Sequence, residues 1–585
     1  MSSHRSAGQA YQPHDDLRHW VPAKTFHGCR TFPHPAMEQR QMTYSQTKPV
    51  LLNDDQMRNY ITDGYIKLDY SVPAEVHEAI AVKLDRMLEL GPNLGNNVLP
   101  HAPEFRHILN APEVRGALVS LLGSDYIEHP HRYCHNMAPF DKPPEDIAAA
   151  VGQRSHQDSY TPMARPRQHY PRYARIIYYP RDTPVLHGPT HVTPGTQFNK
   201  RVTEEDRAMA MPMEGPAGSL WITHFDVVHA AGVNLSDATR HMIKFIYIRR
   251  TEPQAPSWNC DSERWQNPAN VEASYDNEVA WSHMWDWMCG KSDRCESFRS
   301  AAANDADVSE LTAALSDEDV HGSLAAIRQL AVPKPAAAGE AVSALVELLN
   351  KDHQAVRAAA TYALATIGEA AIDTLVTRVK EAGSAGWEDG AQATWNEGTV
   401  HLLDEAHALA GMGAPAVCAL IELLDSTDEW TRINAAFALG EIESAAAEAV
   451  PALTRLLDDD SHRVVRTALD SLGTIGGDSD QYLPRMRRFF VESRAEWDEV
   501  LTGKRAWSAC DQVRLNAATT MARLGPAAAS AEDELIHALE DPCGYVGLLA
   551  TDALQHLGSP TANQAVMDLV MAQRWDSSLY PERPW

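Results

Sequence analysis

Five segments in the second half of the chain repeat one pattern, and that repetition limits the fold more than any other feature. VRAAATYALATIG (356–368), TRINAAFALGEIE (431–443), VVRTALDSLGTIG (464–476), VRLNAATTMARLG (513–525) and VGLLATDALQHLG (546–558) set Ala and Leu at i, i+3, i+4 and i+7. That is the stripe of a helix buried on one face, and Gly closes most copies where a C-cap is wanted. Each copy is preceded by a second apolar helix, such as AVSALVELLN (341–350), APAVCALIELLD (414–425) or AVPALTRLLDDD (449–460), across an Asp-rich turn. Arg432 to Arg466 spans 34 residues and Gly525 to Gly558 spans 33. Helix pairs at this period cannot bury their apolar faces alone and stack into an α-solenoid. Weaker copies lie near 311–331 and 398–413. Two longer spacings carry tryptophan, at 382–398 and 495–511. Local packing under long loops is the preferred reading of those tryptophans, and contact with the first half or a partner is the alternative.

Charge divides the chain at the same place. Residues 1–300 hold 31 Lys and Arg against 35 Asp and Glu, whereas 301–585 hold 20 against 44, so nearly all of the net −28 belongs to the repeats. An acidic balance argues against sequence-independent nucleic-acid binding, which needs a cationic surface. Eight cysteines without a CxxC pair fit neither a disulfide framework nor a thiolate zinc site. With no apolar leader and no apolar run of membrane length, a cytoplasmic protein without a membrane segment is expected. The first half contains helical patterns over 54–122 and then short β-branched and aromatic runs. RIIYYP (175–180), THVTP (190–194), GSLWITHF (218–225) and HMIKFIYI (241–248) suit an antiparallel sandwich or barrel. Trp258, Trp265, Trp281, Trp285 and Trp287 follow, too dense a set for a free linker. That segment is expected to pack against the first half or the first repeat.

The strongest chemical signal is SHQDSY (155–160) with HAAGVNLSDATRH beginning at His229. Alternation sends His156 and Asp158 off one face, and a distant His229 completes a three-ligand face. Two imidazoles and a carboxylate suit Fe(II) and leave three positions for a bidentate co-substrate and O2. Arg240, eleven residues after His229, offers a guanidinium fork to the distal carboxylate of 2-oxoglutarate. His224 near a strand end reads as structural rather than as a fourth ligand. His187 and His191 read as loop residues that face either substrate or solvent. Arg154, Arg165, Arg167, Arg172, Arg175 and Arg181 form a basic run around the HxD segment. Two readings of that run stay open: a cationic rim for an anionic substrate, or a surface that meets the acidic solenoid.

These motifs resemble the phytanoyl-CoA dioxygenase family of Fe(II)/2-oxoglutarate oxygenases over about 50–250. DGYIKL (63–68) resembles its opening segment, NAPEVRGALVSLLGSDY (110–126) its helix before the barrel, and TPVLHGPTHVTPGTQF (183–198) its Pro-Gly-Ser-His loop, with Thr196 and Gln197 in place of Ser and His. GSLWITHFDVVHAAGVNLSDATRHMIKFIY (218–247) resembles its distal-His and arginine motif, including Asn234 and Ser236. The resemblance implies a double-stranded β-helix (jelly-roll) core with flanking helices. It also implies His156, Asp158 and His229 as iron ligands and Arg240 as the 2-oxoglutarate partner. A polar residue from the preceding strand (128–137) is expected near 2-oxoglutarate, His135 before Asn136. Related halogenases replace the carboxylate ligand with a small residue, so Asp158 favours hydroxylation, or desaturation or ring formation. The repeats resemble HEAT repeats over about 310–560.

A multidomain chain is therefore expected: an N-terminal extension (1–45), an all-β oxygenase domain (46–255), a Trp-rich connector (256–305) and an all-α HEAT-type solenoid (306–585). It should use Fe(II), 2-oxoglutarate and O2 on a small-molecule substrate, anionic if the arginine run lines the entrance. The solenoid should shape that entrance, recruit a protein partner or self-associate. The alternatives are a HEAT scaffold with a degenerate oxygenase domain, or an oxygenase acting on a protein- or carrier-bound substrate.

Overall fold

The computed structural model describes residues 47–90, 96–158, 168–301, 307–316, 318–383, 400–498 and 508–573. The helix Asp54–Asp63 has its ends written in the sequence. The Asn53 side chain accepts from the Gln56 N–H, Gln56 reaches back to the Asn53 N–H, and Gly64 closes the helix at φ 79°. A Cβ at Gly64 would stand 2.6 Å from Gln197 Oε1, so the turn into the first strand needs glycine twice over.

Eight strands are present among the described residues: β1 (Tyr65–Leu68), β2 (Ile127–Met137), β3 (Tyr173–Tyr178), β4 (Thr190–Val192), β5 (Met211–Pro212), β6 (Leu220–His224), β7 (His229–Ala231) and β8 (Arg240–Ile248). They make two antiparallel sheets, of order β1-β6-β3-β8-β2 and β5-β4-β7. β3 and β8 are buried along their whole length, which explains why both read as near-continuous apolar runs. Ile176, Tyr178, Ile222 and Phe245 face the helices, where Phe105 meets Tyr178 and Phe245 edge-on. Ile177, Tyr179, Trp221 and Met242 face inward and meet Val192, Met213 and Val227. At roughly 1.5–3 kcal/mol for each fully buried large side chain, these two layers dominate the stability of the sandwich. This is the jelly-roll double-stranded β-helix expected from the motifs.

The tryptophan segment packs on both neighbours. Trp258 Nε1 donates to Asp54, Trp285 stands edge-on to Trp258 beneath the Arg58 guanidinium, and Trp287 Nε1 donates to Glu443 in the repeats.

The repeats form stacked helix pairs. Their second helices, which run side by side, are Gln354–Ile367, Asp404–Met412, Glu429–Ile442, His462–Ile475, Ala509–Leu524 and Gly544–Leu557. Asp428, Ser461 and Ser508 cap three of them through their side chains. Trp497 is packed locally, its Nε1 donating to Asp460 O beneath Arg494, whereas Trp387, Trp395 and Trp507 lie outside the described residues. No single helix among the described residues is long and apolar enough to cross a membrane.

From Thr47 onward the chain forms one compact unit, with the solenoid on the β domain. Each of the six second helices touches the first half. Tyr362 and His407 meet His169, Glu441 takes Arg172 at 2.6 Å, and Asp470 takes Gln168 at 3.3 Å. Ala522 O accepts from Arg250, and Tyr545 meets His131 at 2.6 Å. Of the basic run, Arg172 meets the acidic array. Arg154 instead donates to Gly232 O, Arg181 pairs with Asp85, and Arg175 turns into the sandwich. Arg165 and Arg167 lie outside the described residues. Elsewhere in the first half, Arg201, Arg250 and Arg294 also pair with acidic residues of the array.

Candidate metal centre

His156 and His229 face each other across a short antiparallel bridge, His156 N–H donating to His229 O and the reverse at 2.9 and 3.0 Å. The HxD segment thus pairs with His229 through a bridge, and the alternation expected of it is kept. Gln157 points away, its Nε2 donating to Asp226 O and Asn199 O at 2.8 and 3.1 Å, and Asp158 returns to the histidine side. Both imidazoles are anchored alike. His156 Nδ1 lies 2.8 Å from Arg154 O and His229 Nδ1 lies 3.1 Å from Val227 O, each two residues back. The tautomer that satisfies these contacts carries its proton on Nδ1 and leaves Nε2 for a metal. Asp158 Oδ1 stands 3.6 Å from His156 Nε2 and Oδ2 stands 3.7 Å from His229 Nε2. Among the described residues this is the group of His, Cys, Asp and Glu side chains whose ligand atoms gather within 4.8 Å.

The electrostatics keep Asp158 and His229 in forms that can bind a metal. Burial alone would raise Asp158, but Lys244, the His156 contact, His229 and Arg175 outweigh it and hold the carboxyl well below its ordinary value. Burial, and then Arg175, push His229 well below its ordinary value, so the imidazole is neutral.

Arg240 opens β8 opposite Met137 and is 2 % exposed. Its Nε and Nη1 have no hydrogen-bond partner, and Nη2 reaches Met137 Sδ at 3.9 Å. A buried guanidinium with unspent N–H groups is costly unless an anion completes it, and a carboxylate does so with two parallel bonds. Asn234 builds the turn before it, Nδ2 donating to Met137 O and Ala238 O while Oδ1 accepts from Ser236. His135 lies opposite Met242, on the inward face with Arg240. Its Nε2 is buried without a partner, and burial with nearby Lys244 pushes its pKa down to about 3. Asn136 faces the other way and meets His241 Nδ1 at 2.7 Å. The donor set and the waiting guanidinium fit iron and 2-oxoglutarate together.

Two residues escaped the sequence reading as parts of the site. Arg175 Nη1 lies 2.7 Å from Asp158 Oδ2 and 3.0 Å from His229 Nε2, and Lys244 Nζ lies 3.0 Å from the same Oδ2. A signal existed for Lys244, a lone cation in an apolar strand four residues after Arg240, which alternation puts on one face. His224 is buried with Nδ1 accepting the Asp226 N–H and is not in the ligand group. His187 lies against the carbonyls of Asp182 and Ala238, and His191 against that of Pro189. Thr196 and Gln197 hold the loop, Thr196 Oγ1 on Thr193 O and Gln197 Nε2 on Ile61 O. A cleft of about 870 Å³ lies between the loop around Thr203, the segment at Tyr275 and the first repeats. Thr196 lines it, but His156, Asp158, His229, Arg175, Lys244 and Arg240 do not, and the donor set rather than this cleft marks the reactive place.

The model of the phytanoyl-CoA dioxygenase (PhyH) family matches residues 75–242, and that of HEAT repeats matches 308–386 and 406–497. No curated protein matches the chain. Among solved structures, the non-haem α-ketoglutarate-dependent carbocyclase SnoK from nogalamycin biosynthesis is 17% identical over 35% of this chain and 88% of its own, with a TM-score of 0.28. The nickel complex of the non-haem monooxygenase ThoJ is 17% identical over 38% and 87%, at 0.26. CytC3 with Fe(II) and α-ketoglutarate is 15% identical over 34% and 79%, at 0.25. By its matched segments, the chain joins a domain of the phytanoyl-CoA dioxygenase family, an enzyme dependent on Fe(II), 2-oxoglutarate and O2, to an array of HEAT repeats.

Proposed function

We propose that the chain oxidises an unactivated C–H bond of a small-molecule metabolite, by hydroxylation or by desaturation or ring closure. The observation that carries this reading is the intact His156, Asp158 and His229 group beside the unspent guanidinium of Arg240. Iron held there, with 2-oxoglutarate and O2, supplies the oxidising chemistry, in which 2-oxoglutarate loses CO2 to become succinate while the substrate C–H is oxidised.

The chain's own residues bind, orient and dry. His156 and His229 present Nε2 because backbone carbonyls hold Nδ1. Asp158 fills the carboxylate place, which leaves no ligand vacancy for a halide and favours oxygen insertion or hydrogen removal. Arg240 takes the far carboxylate of 2-oxoglutarate, with Asn234 fixing the turn that aims it. Ile177, Tyr179, Trp221 and Met242 line the interior with apolar surface that excludes water from the reacting atoms.

The solenoid braces the catalytic domain in cis, since the face made by its second helices is spent on the chain's own first half. Purified protein with Fe(II), ascorbate and 2-oxoglutarate should release succinate, slowly even without substrate. His156→Ala and His229→Ala should each abolish it, and succinate formation persisting in both variants removes this reading.

A further inference from the structure

Arg175, like Lys244, is a buried cation that the reading above leaves unused. It stands on β3 opposite Ile246, on the inward face and well along the sheet from Arg240 at the start of β8. Its guanidinium is 1 % exposed and makes three kinds of contact: Nε donates to Thr223 Oγ1 at 3.1 Å, and Nη1 reaches Asp158 Oδ2 and His229 Nε2. The last two are ligand atoms. A metal ion and this guanidinium therefore compete for the same acceptors, and two cations cannot share them without a large repulsion. Loading the site would push the two Nη groups of Arg175 aside while Thr223 still accepts from its Nε.

The displaced N–H groups then need an acceptor, because a buried guanidinium left unpaired costs several kcal/mol. The carboxylate they hold in this structure is Asp158, which is shared with Lys244 and is spent on the metal. Formal charge agrees. Fe(II), Asp158, dianionic 2-oxoglutarate and Arg240 sum to zero, so the charges of Lys244 and Arg175 both stand in excess, and of these two only Arg175 offers a planar fork. We propose that Arg175 is a second anion-binding guanidinium of the site, which takes a carboxylate-like group brought beside the metal once the metal has displaced it. That group is either the metal-proximal carboxylate of 2-oxoglutarate or an anionic group of the substrate, and both ask for the same planar fork. This inference rests on the metal-centre reading.

Its signature is a pair of changes of opposite sign, which a merely structural role does not produce. Zn(II) affinity of the full chain without 2-oxoglutarate is measured by chelator competition for wild type, Arg175→Gln and His156→Ala. Calorimetry then follows the binding of 2-oxoglutarate, and of inorganic phosphate at saturating 2-oxoglutarate, to the Zn(II)-loaded proteins. Arg175→Gln should bind Zn(II) several-fold tighter, yet lose at least about tenfold, or ~1.4 kcal/mol, in anion affinity. Loss of 2-oxoglutarate affinity assigns the fork to the co-substrate. Unchanged 2-oxoglutarate affinity with loss of phosphate binding assigns it to an anionic substrate. Arg175→Lys keeps the charge without the fork, should fall between wild type and Arg175→Gln, and carries the test if the Gln variant does not fold. Weaker Zn(II) binding in the Arg175 variants, or anion affinities equal to wild type, overturns the inference. If His156→Ala binds Zn(II) as wild type does, the metal-centre reading fails instead.

Discussion

Glu443 stands where neighbouring repeats carry glycine. Gly413, Gly476 and Gly525 close their helices at positive φ, and Glu443 does the same at φ 64°, the one non-glycine residue there among those described. Such a conformation costs roughly 1–2 kcal/mol for a residue with a Cβ. Its carboxylate offsets this by accepting from Arg172 at 2.8 Å, from Arg294 at 3.1 Å and from Trp287 at 2.6 Å. Removing one partner of a buried ion pair costs about 3–5 kcal/mol. Glu443→Gly should therefore relieve strain yet destabilise the fold by roughly 2 kcal/mol in urea denaturation. Burial, opposed by Arg294 and aided by Glu252, raises Glu443 from the ordinary 4.5 to about 7. Arg172 and Trp287 also face it, and Glu441 shares Arg172. Between those two pH values the folded chain holds at Glu443 a proton that the unfolded chain has released, so this residue's own contribution to stability should fall as pH rises through that window. Buried histidines such as His135 and His229 slope the other way, so the readout is the difference in thermal unfolding between wild type and Glu443→Gln, which should shrink as pH rises.

At the scale of elements, the site depends on how short pieces are tied to the sheets. The turn from Asn234 to Ala238 aims Arg240, and Asn234 is fully buried. Asn234→Ala strips two carbonyls of their donor, at about 1–3 kcal/mol each when buried. It should lower 2-oxoglutarate affinity roughly tenfold through a loosened Arg240, with His156, Asp158 and His229 still able to bind Zn(II). The bulged strand β2 is tied at its other end to the last described repeat. Tyr545 meets His131, His131 stacks on Tyr133, and the Tyr133 ring lies 4.8 Å from that of His135. Tyr545→Phe removes the hydroxyl's hydrogen bonds to His131 and Asn96 and should cost about 1–2 kcal/mol of global stability. A larger loss of 2-oxoglutarate affinity than of stability in that variant would show that the tie positions His135.

At the scale of the whole molecule, the two halves are fastened by buried ion pairs as well as apolar contact. Arg172 is fully buried between Glu252, Glu441 and Glu443, and Arg523 pairs with Glu252. Separate domains meet through smaller and more polar surfaces, so this junction predicts one cooperative unfolding transition for the full chain. Two transitions separated in calorimetry would show that the repeats are an independent module. Deleting 306–585 should yield an aggregating product, because it bares Trp287 and leaves Arg172 with one of its three carboxylates. The repeats, the strands and the order His156, Asp158, His229, Arg240 were legible in the sequence, because helical and strand periodicity and ligand spacing are properties of neighbouring residues. The partners of Arg172, the inward turn of Arg175 toward the ligands and the left-handed Glu443 were not. Each is decided by which charges, up to hundreds of residues apart, the closed fold brings together out of water. By itself the sequence determined the kinds of element, the grouping of His156, Asp158 and His229, and the uneven charge. Only the tertiary structure decided which cations meet which carboxylates, because that choice is made by desolvation on contact and leaves no periodic trace along the chain.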